Sequence, residues 1–257
     1  MGRIDDSLLA IESIGDTTER AFQLAGLIST LFKLKGVLLV VTGQLAFDGY
    51  TNSASDNPTL DLATLTGKLT PRMVLEIMPT QLRAKGMLAH WTLADIPIRF
   101  LGDAAIINRD LCRDFTTDYG VVKFLPAEEI TAERILASVY PEPDTEAENQ
   151  AQLLLVHGVT NTIHMDWAAL HKICHLPDYR VGEELARMRL AAKKEADAQG
   201  ASPDHVGQVT VPEESPAPEV AAETVAAPEV DVPSFEPKPA RTLSASERAM
   251  NAIIDGQ

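Results

Sequence analysis

Apolar and polar positions fall into blocks along the first 198 residues, and the period of each block predicts an element. Asp16-x-x-Glu19 has the form of a helix start, and Phe22, Ala25, Ile28, Leu31 and Phe32 follow at helical spacing until Gly36. Val37 to Val41 is an unbroken apolar run of strand length. Thr42-Gly43-Gln44 reads as a turn and Leu45 to Tyr50 as one or two helical turns. A polar loop, Thr51 to Asn57, leads into a strand over Thr59 to Thr66. Thr70-Pro71 opens a helix with proline at its first position; Pro79 breaks it and Gly86 stops it. Further strands are expected over Met87 to Thr92, Pro97 to Leu101 and Gly120 to Leu125. Beyond Pro126 the period is helical. Helices are predicted from Pro126, from Asp144, from Asp166 and through EELARMRLAAKKEADAQ. The pattern predicts an α+β fold, a mixed sheet flanked by helices over residues 1–125 with a helical C-terminal part over 126–199.

The pattern stops near Gln199. Half of the sixteen prolines lie between Gly200 and Thr242, among Ala, Glu and Val with little Leu. Prolines remove backbone donors and acidic repulsion extends the chain, so residues 200–243 are expected to be a disordered linker. Ser244-Ala245-Ser246-Glu247 is then a capping box, with Met250, Ile253 and Ile254 at helical spacing and Gly256 at a C-cap position. Residues 244–257 are expected to form a short helix, too small to stand alone. It either docks on its own domain or binds a protein partner through Met250, Ile253 and Ile254.

Charge and cysteine content narrow the classes. A net charge of −15 argues against broad nucleic-acid or anionic-membrane binding, which need basic fields. Cys112 and Cys174 are far apart and form no framework, which suits a reducing compartment. The opening MGRIDDSLLAIESIG has acids where a signal peptide needs a basic region, and no apolar run approaches a membrane span. A cytoplasmic protein without membrane contact is expected.

Other polar clusters read as ordinary surface or core. His171 and His175 sit one helical turn apart, but Lys172 takes the place of a zincin glutamate and no third ligand has suitable spacing. Arg109-Asp110-x-x-Arg113-Asp114 reads as a solvated turn or helix, and Trp91 and Trp167 as core anchors.

One stretch carries candidate chemistry. Val37-Leu38-Leu39-Val40-Val41-Thr42-Gly43-Gln44-Leu45-Ala46-Phe47-Asp48-Gly49-Tyr50, continued by Thr59-Leu60-Asp61-Leu62-Ala63-Thr64, resembles the polymerase-beta-type nucleotidyltransferases. The likeness is to the small bacterial nucleotidyltransferase-like proteins related to toxin–antitoxin and abortive-infection systems. Their pattern is a strand, a Gly-Gly or Gly-Ser helix start, a T-x-D-h-D-h strand (h is apolar), a third carboxylate on a later strand, and C-terminal helices. Glycine lets the backbone approach a triphosphate, and a helix N-terminus offers it N–H donors. Carboxylates at i and i+2 of a strand share a face, and with a third they hold two divalent ions. The resemblance implies NTP and Mg²⁺ as cofactors, Asp61 as a catalytic metal ligand, and Gly43 and Gln44 at the nucleotide.

The departures are as specific as the matches. Gln44 replaces the second small residue, Ala63 replaces the second acid, and Arg99 lies in the strand expected to carry the third. Asp103 or Asp95 are the nearest substitutes, with Asp103 the candidate second metal ligand. Three functions remain. The first is a nucleotidyltransferase-like protein with a degraded site, acting as a non-catalytic regulatory or partner-binding subunit. The second is an active enzyme moving a nucleoside monophosphate from an NTP to a protein or small-molecule hydroxyl. The third is a structural or assembly protein.

Overall fold

The computed structural model describes residues 2–200 other than 105, 107 and 108. The expected linker and the terminal helix with Met250, Ile253 and Ile254 lie outside the described residues. The order is α1 (Gly2–Glu12), α2 (Thr17–Lys33), β1 (Leu38–Thr42), α3 (Gly43–Thr51), β2 (Leu60–Thr66), α4 (Pro71–Leu75), β3 (Lys85–Met87), β4 (His90–Leu93) and β5 (Ile96–Asp103). There follow β6 (Arg113–Thr117), β7 (Gly120–Phe124), α5 (Ala127–Val139), α6 (Thr145–Val159), α7 (Trp167–Cys174) and α8 (Gly182–Gly200). The seven strands form one mixed sheet in the order β3-β4-β5-β2-β1-β7-β6. β1 runs parallel to β7 and β2 parallel to β5; the other pairs are antiparallel. This is the α+β arrangement the pattern predicts, a mixed sheet flanked by helices and followed by a helical C-terminal part.

α2 covers one face. Asp16 caps it by accepting from the Glu19 amide, and its apolar stripe meets the sheet through Phe22 against Phe124 and Phe32 against Phe100. That stripe buries Leu24, Ile28 and Phe32 completely. On β5 the burial alternates: Ile96, Ile98 and Phe100 face the core, while Pro97, Arg99 and Leu101 face outward. Alternation of this kind marks a sheet wetted on one side along this strand.

The helical part joins the sheet through α3. The Leu125 amide donates to the Val41 carbonyl, and the Tyr50 hydroxyl donates to the Leu125 carbonyl. α5, α6, α7 and α8 then pack on one another, with Ile135, Leu154, Leu155 and Leu170 fully buried. Asp144 caps α6 and Asp166 caps α7, each accepting two backbone N–H bonds. Glu128 is buried and accepts from the Asp166 amide, which ties the start of α7 to α5.

Three elements differ from the sequence expectation. α1 was not foreseen, although Ile4, Leu8 and Ile11 recur at helical spacing and Leu8 and Ile11 are buried. The strand expected over Met87 to Thr92 is a hairpin, β3 and β4, turning at Leu88, whose φ is 52°. The Arg109–Asp114 segment is a short 3₁₀ turn at Arg109–Leu111 followed by β6, held by Phe115 stacked on Phe124 and by the cross-strand Lys123–Asp114 pair. The expected break at Pro79 is present: α4 ends at Leu75, and a wider turn over Glu76–Gln81 contains the proline.

Candidate functional site

The outer face of the sheet aligns one row of residues across five strands. Met87 pairs with His90, His90 with Arg99, Arg99 with Asp61, and Asp61 with Thr42. Gly43 follows at once and begins α3. Its φ is 66°, in the left-handed region. A Cβ there would lie 2.8 Å from Asp61 Oδ2, so the glycine is needed both for the turn and for the closeness of the carboxylate. The strand–glycine–helix geometry is therefore built, with the α3 N-terminus beside Asp61.

The carboxylate itself is occupied. Arg99 Nε donates to Asp61 Oδ1 and Nη2 to Oδ2, each at 2.6 Å. The Asp61 side chain is 7% exposed and that of Arg99 47%. A bidentate guanidinium fork matches both oxygens of a carboxylate. The hydrogen bond to Asp61 is the main cause holding the Arg99 proton more tightly than usual. Parallel register makes this pair: Arg99 sits at the one position of β5 directly beside Asp61.

The other candidates do not join Asp61. Ala63, two residues on along β2, is buried and offers no ligand. Asp103 ends β5, exposed, and is paired in register with Thr64; Asp95 lies in the β4–β5 turn. Each is four residues from Arg99 along β5, which is roughly 13 Å of strand. Among the described residues no group of three or more His, Cys, Asp and Glu could hold a metal ion. A pair of divalent ions needs several converging oxygen donors. One neutralised carboxylate, an alanine and a cation are the wrong donor set.

Gln44 faces the helices. Its Nε2 donates to Asp48 Oδ1, and its Oε1 accepts from Gln150 Nε2 at 3.2 Å and, at 3.5 Å, from Arg134. The side chain thus bridges α3 to α5 and α6. Asp48 is buried and also accepts from Ser55 Oγ at 2.7 Å; burial pushes its carboxyl above the ordinary value, and the hydrogen bonds pull the other way. Thr42, the residue before α3, makes no side-chain cap, and its buried Oγ1 has no partner among the described residues.

Of the remaining sequence candidates, the His171 and His175 rings stack at 4.0 Å, both exposed, with His175 Nδ1 against the His171 carbonyl. Trp91 is buried and donates to the Leu88 carbonyl; Trp167 is half-buried under Arg189. Both cysteines are free. No described helix is long and apolar enough to cross a membrane. Sequence reasoning placed Arg99 in the right strand but did not see its partnership with Asp61, which needs the β2–β5 register.

No family model matches the chain, and no curated protein matches it. Among solved structures, the solution structure of the antibiotic-resistance factor ANT(2'')-Ia is similar over 72% of this chain and 97% of that one, at 14% identity and a TM-score of 0.41. A superposition that loose carries no functional argument, and the residues decide.

Proposed function

We propose that this chain is a nucleotidyltransferase-like protein with a retired catalytic site, acting as a non-catalytic regulatory or partner-binding subunit. One observation carries the reading: Arg99 stands where the resemblance expects the third acid and neutralises the one acid that remains. A guanidinium supplies fixed charge but has no coordination position in which to bind and acidify an attacking hydroxyl as a divalent ion does. The sequence offers a partner contact in Met250, Ile253 and Ile254, tethered beyond the Pro-rich segment.

A second reading has the Gly43 turn in its favour. An active transferase would use Mg²⁺ and an NTP with Gly43 at the phosphates, and the glycine is held 2.8 Å (as a built Cβ) from Asp61. Against it stands the donor set: among the described residues no group of three or more His, Cys, Asp and Glu could hold a metal ion, and Ala63 stands where the second acid is expected.

Pyrophosphate release from each NTP, with Mg²⁺ or Mn²⁺, separates the two. The expected result is no release above background for the wild-type chain. The double variant Ala63→Asp/Arg99→Asp aligns three carboxylates and is expected to gain Mn²⁺ binding by titration calorimetry. Metal-dependent release by the wild type that Asp61→Ala removes would overturn the non-catalytic reading. For the partner contact, deletion after Leu243 should abolish capture of a partner that the full chain captures; unchanged capture would exclude the terminal residues as the contact.

A further inference from the structure

The outer face of the sheet carries a second feature beside the Asp61–Arg99 pair. A groove of about 390 Å³ runs over β3, β4 and the start of β5, with Thr59, Lys85, His90, Thr92 and Arg99 among its lining. No carboxylate lines it. Three other grooves on the described surface each contain carboxylates: Asp178 and Glu183 in one, Asp16 and Asp48 in the next, Asp5 and Glu12 in the third. A groove that holds Lys85 and Arg99 and no carboxylate in its lining stands apart from these three on a chain of net charge −15, although Lys85 and Thr92 also border the groove with Asp5 and Glu12.

Register explains how these side chains come together. His90 is directly opposite Arg99, and Lys85 directly opposite Thr92, two residues on from His90. All four project to the outer face, where Lys85, His90, Thr92 and Arg99 are exposed. Directly opposed side chains start about 5 Å apart and diagonal ones about 7–8 Å, so His90 stands between the Lys85 ammonium and the Arg99 guanidinium, and all three line the one groove. The Lys85 and Arg99 charges repel each other, and an anion between them offsets that repulsion. The Lys85 and His90 side chains have no hydrogen-bond or ion-pair partner among the described residues. Arg99 is only partly engaged: two of its five N–H donors go to Asp61, and the rest belong to a side chain 47% exposed.

We propose that this groove binds a small oligophosphate anion, such as the phosphate chain of a nucleotide, through Lys85, His90 and Arg99 and without a divalent metal. The proposal rests on the reading that Arg99 supplies fixed positive charge where a metal-using relative would place an ion. Arg99 is then shared: its inner edge neutralises Asp61, and its outer edge meets the ligand. Charge-assisted bonds from a guanidinium and an ammonium, with the Thr59 and Thr92 hydroxyls nearby, are the chemistry that recognises phosphate oxygens. The volume lies near the low end for small-molecule sites, which favours a compact ligand over a polymer.

The test is calorimetric titration of the full chain with sodium tripolyphosphate and, separately, with ATP, in EDTA and then with Mg²⁺. Lys85→Glu and His90→Gln alter exposed side chains and should leave the fold intact, which a matched thermal midpoint checks. Binding of tripolyphosphate in EDTA, weakened roughly tenfold or more by Lys85→Glu, is expected. Tighter binding of ATP than of tripolyphosphate would mark a nucleotide as the source; equal binding would mark the phosphate chain alone. No binding of either in EDTA overturns the proposal and leaves the retired-site reading standing. Binding that appears only with Mg²⁺ and survives Lys85→Glu overturns both.

Discussion

At the scale of the residue, the Asp61–Arg99 pair sets the local energetics. Arg99→Ala leaves a carboxylate buried without its counter-charge, and removing one partner of a fully buried pair costs about 3–5 kcal/mol. Arg99 keeps nearly half its side chain in water, so about 2–3 kcal/mol is expected here, measured by urea denaturation. Asp61→Asn/Arg99→Gln should lose less than the sum of the single changes, since neither partner is then left charged and alone. Asp48 makes a pH prediction. Its folded pKa lies above the ordinary value, chiefly from burial, so the folded state holds a proton that the unfolded state has released. Stability from this group is present at low pH and falls as pH rises from the unfolded value through the raised one. Asp48→Asn removes that slope, so the variant should gain on the wild type between pH 4 and neutrality in parallel urea titrations. The Ser55 hydroxyl can turn to accept from the new amide. Little of this was legible in the sequence. Gly43 and Asp61 could be singled out because a positive-φ turn and a lone acid in an apolar strand stand out locally. Arg99 lies 38 positions from Asp61, and only strand pairing makes them neighbours.

At the scale of the element, caps and bridges hold the parts together. Asp166 satisfies the first amides of α7, while its own amide is bound by the buried Glu128. Asp166→Ala should cost about 1 kcal/mol, the usual loss for a helix cap, read from the denaturation midpoint. Elements with strong local chemistry were legible: the Asp16, Asp144 and Asp166 starts, the Pro71 start and the Pro79 break all coincide with their predicted positions. The missed elements lacked such signals. The β3–β4 turn uses Leu88 at φ 52° where a glycine or asparagine would have announced it. The β4–β5 turn likewise places Ala94 and Asp95 at positive φ. β6 carries two charges and was read as a solvated turn or helix, but Asp114 pairs with Lys123 across the ladder, Arg113 lies over the Tyr50 ring and donates to the His164 carbonyl, and Phe115 packs on Phe124.

At the scale of the whole molecule, the sheet and the helical part share one interior. The described residues fall in a single compact unit, with α3 in contact with the sheet and with α5 and α6. A chain ending at residue 125 would expose the buried side chains that α3 and β7 share with the helices, and would leave Gln44 without Gln150 and Arg134. Such a fragment is expected to show no cooperative thermal transition by circular dichroism, whereas the full chain shows one. The α+β class was legible because helical and strand periods segregate along the chain. The joint between the parts was not, because Gln44 reads locally as a residue at a nucleotide and only the packing shows it bridging α3 to α5 and α6.

The pairing of Asp61 with Arg99 also constrains history. Any mutational route from this arrangement to three acids must first remove Arg99 or first add a carboxylate. The first step leaves Asp61 buried and uncompensated. The second, at Ala63, puts a second negative group into a site with 5% exposure and one cation to share. Either intermediate is less stable than the present pair, so the arginine acts as a ratchet: once in place it is easily kept and hard to reverse by single substitutions.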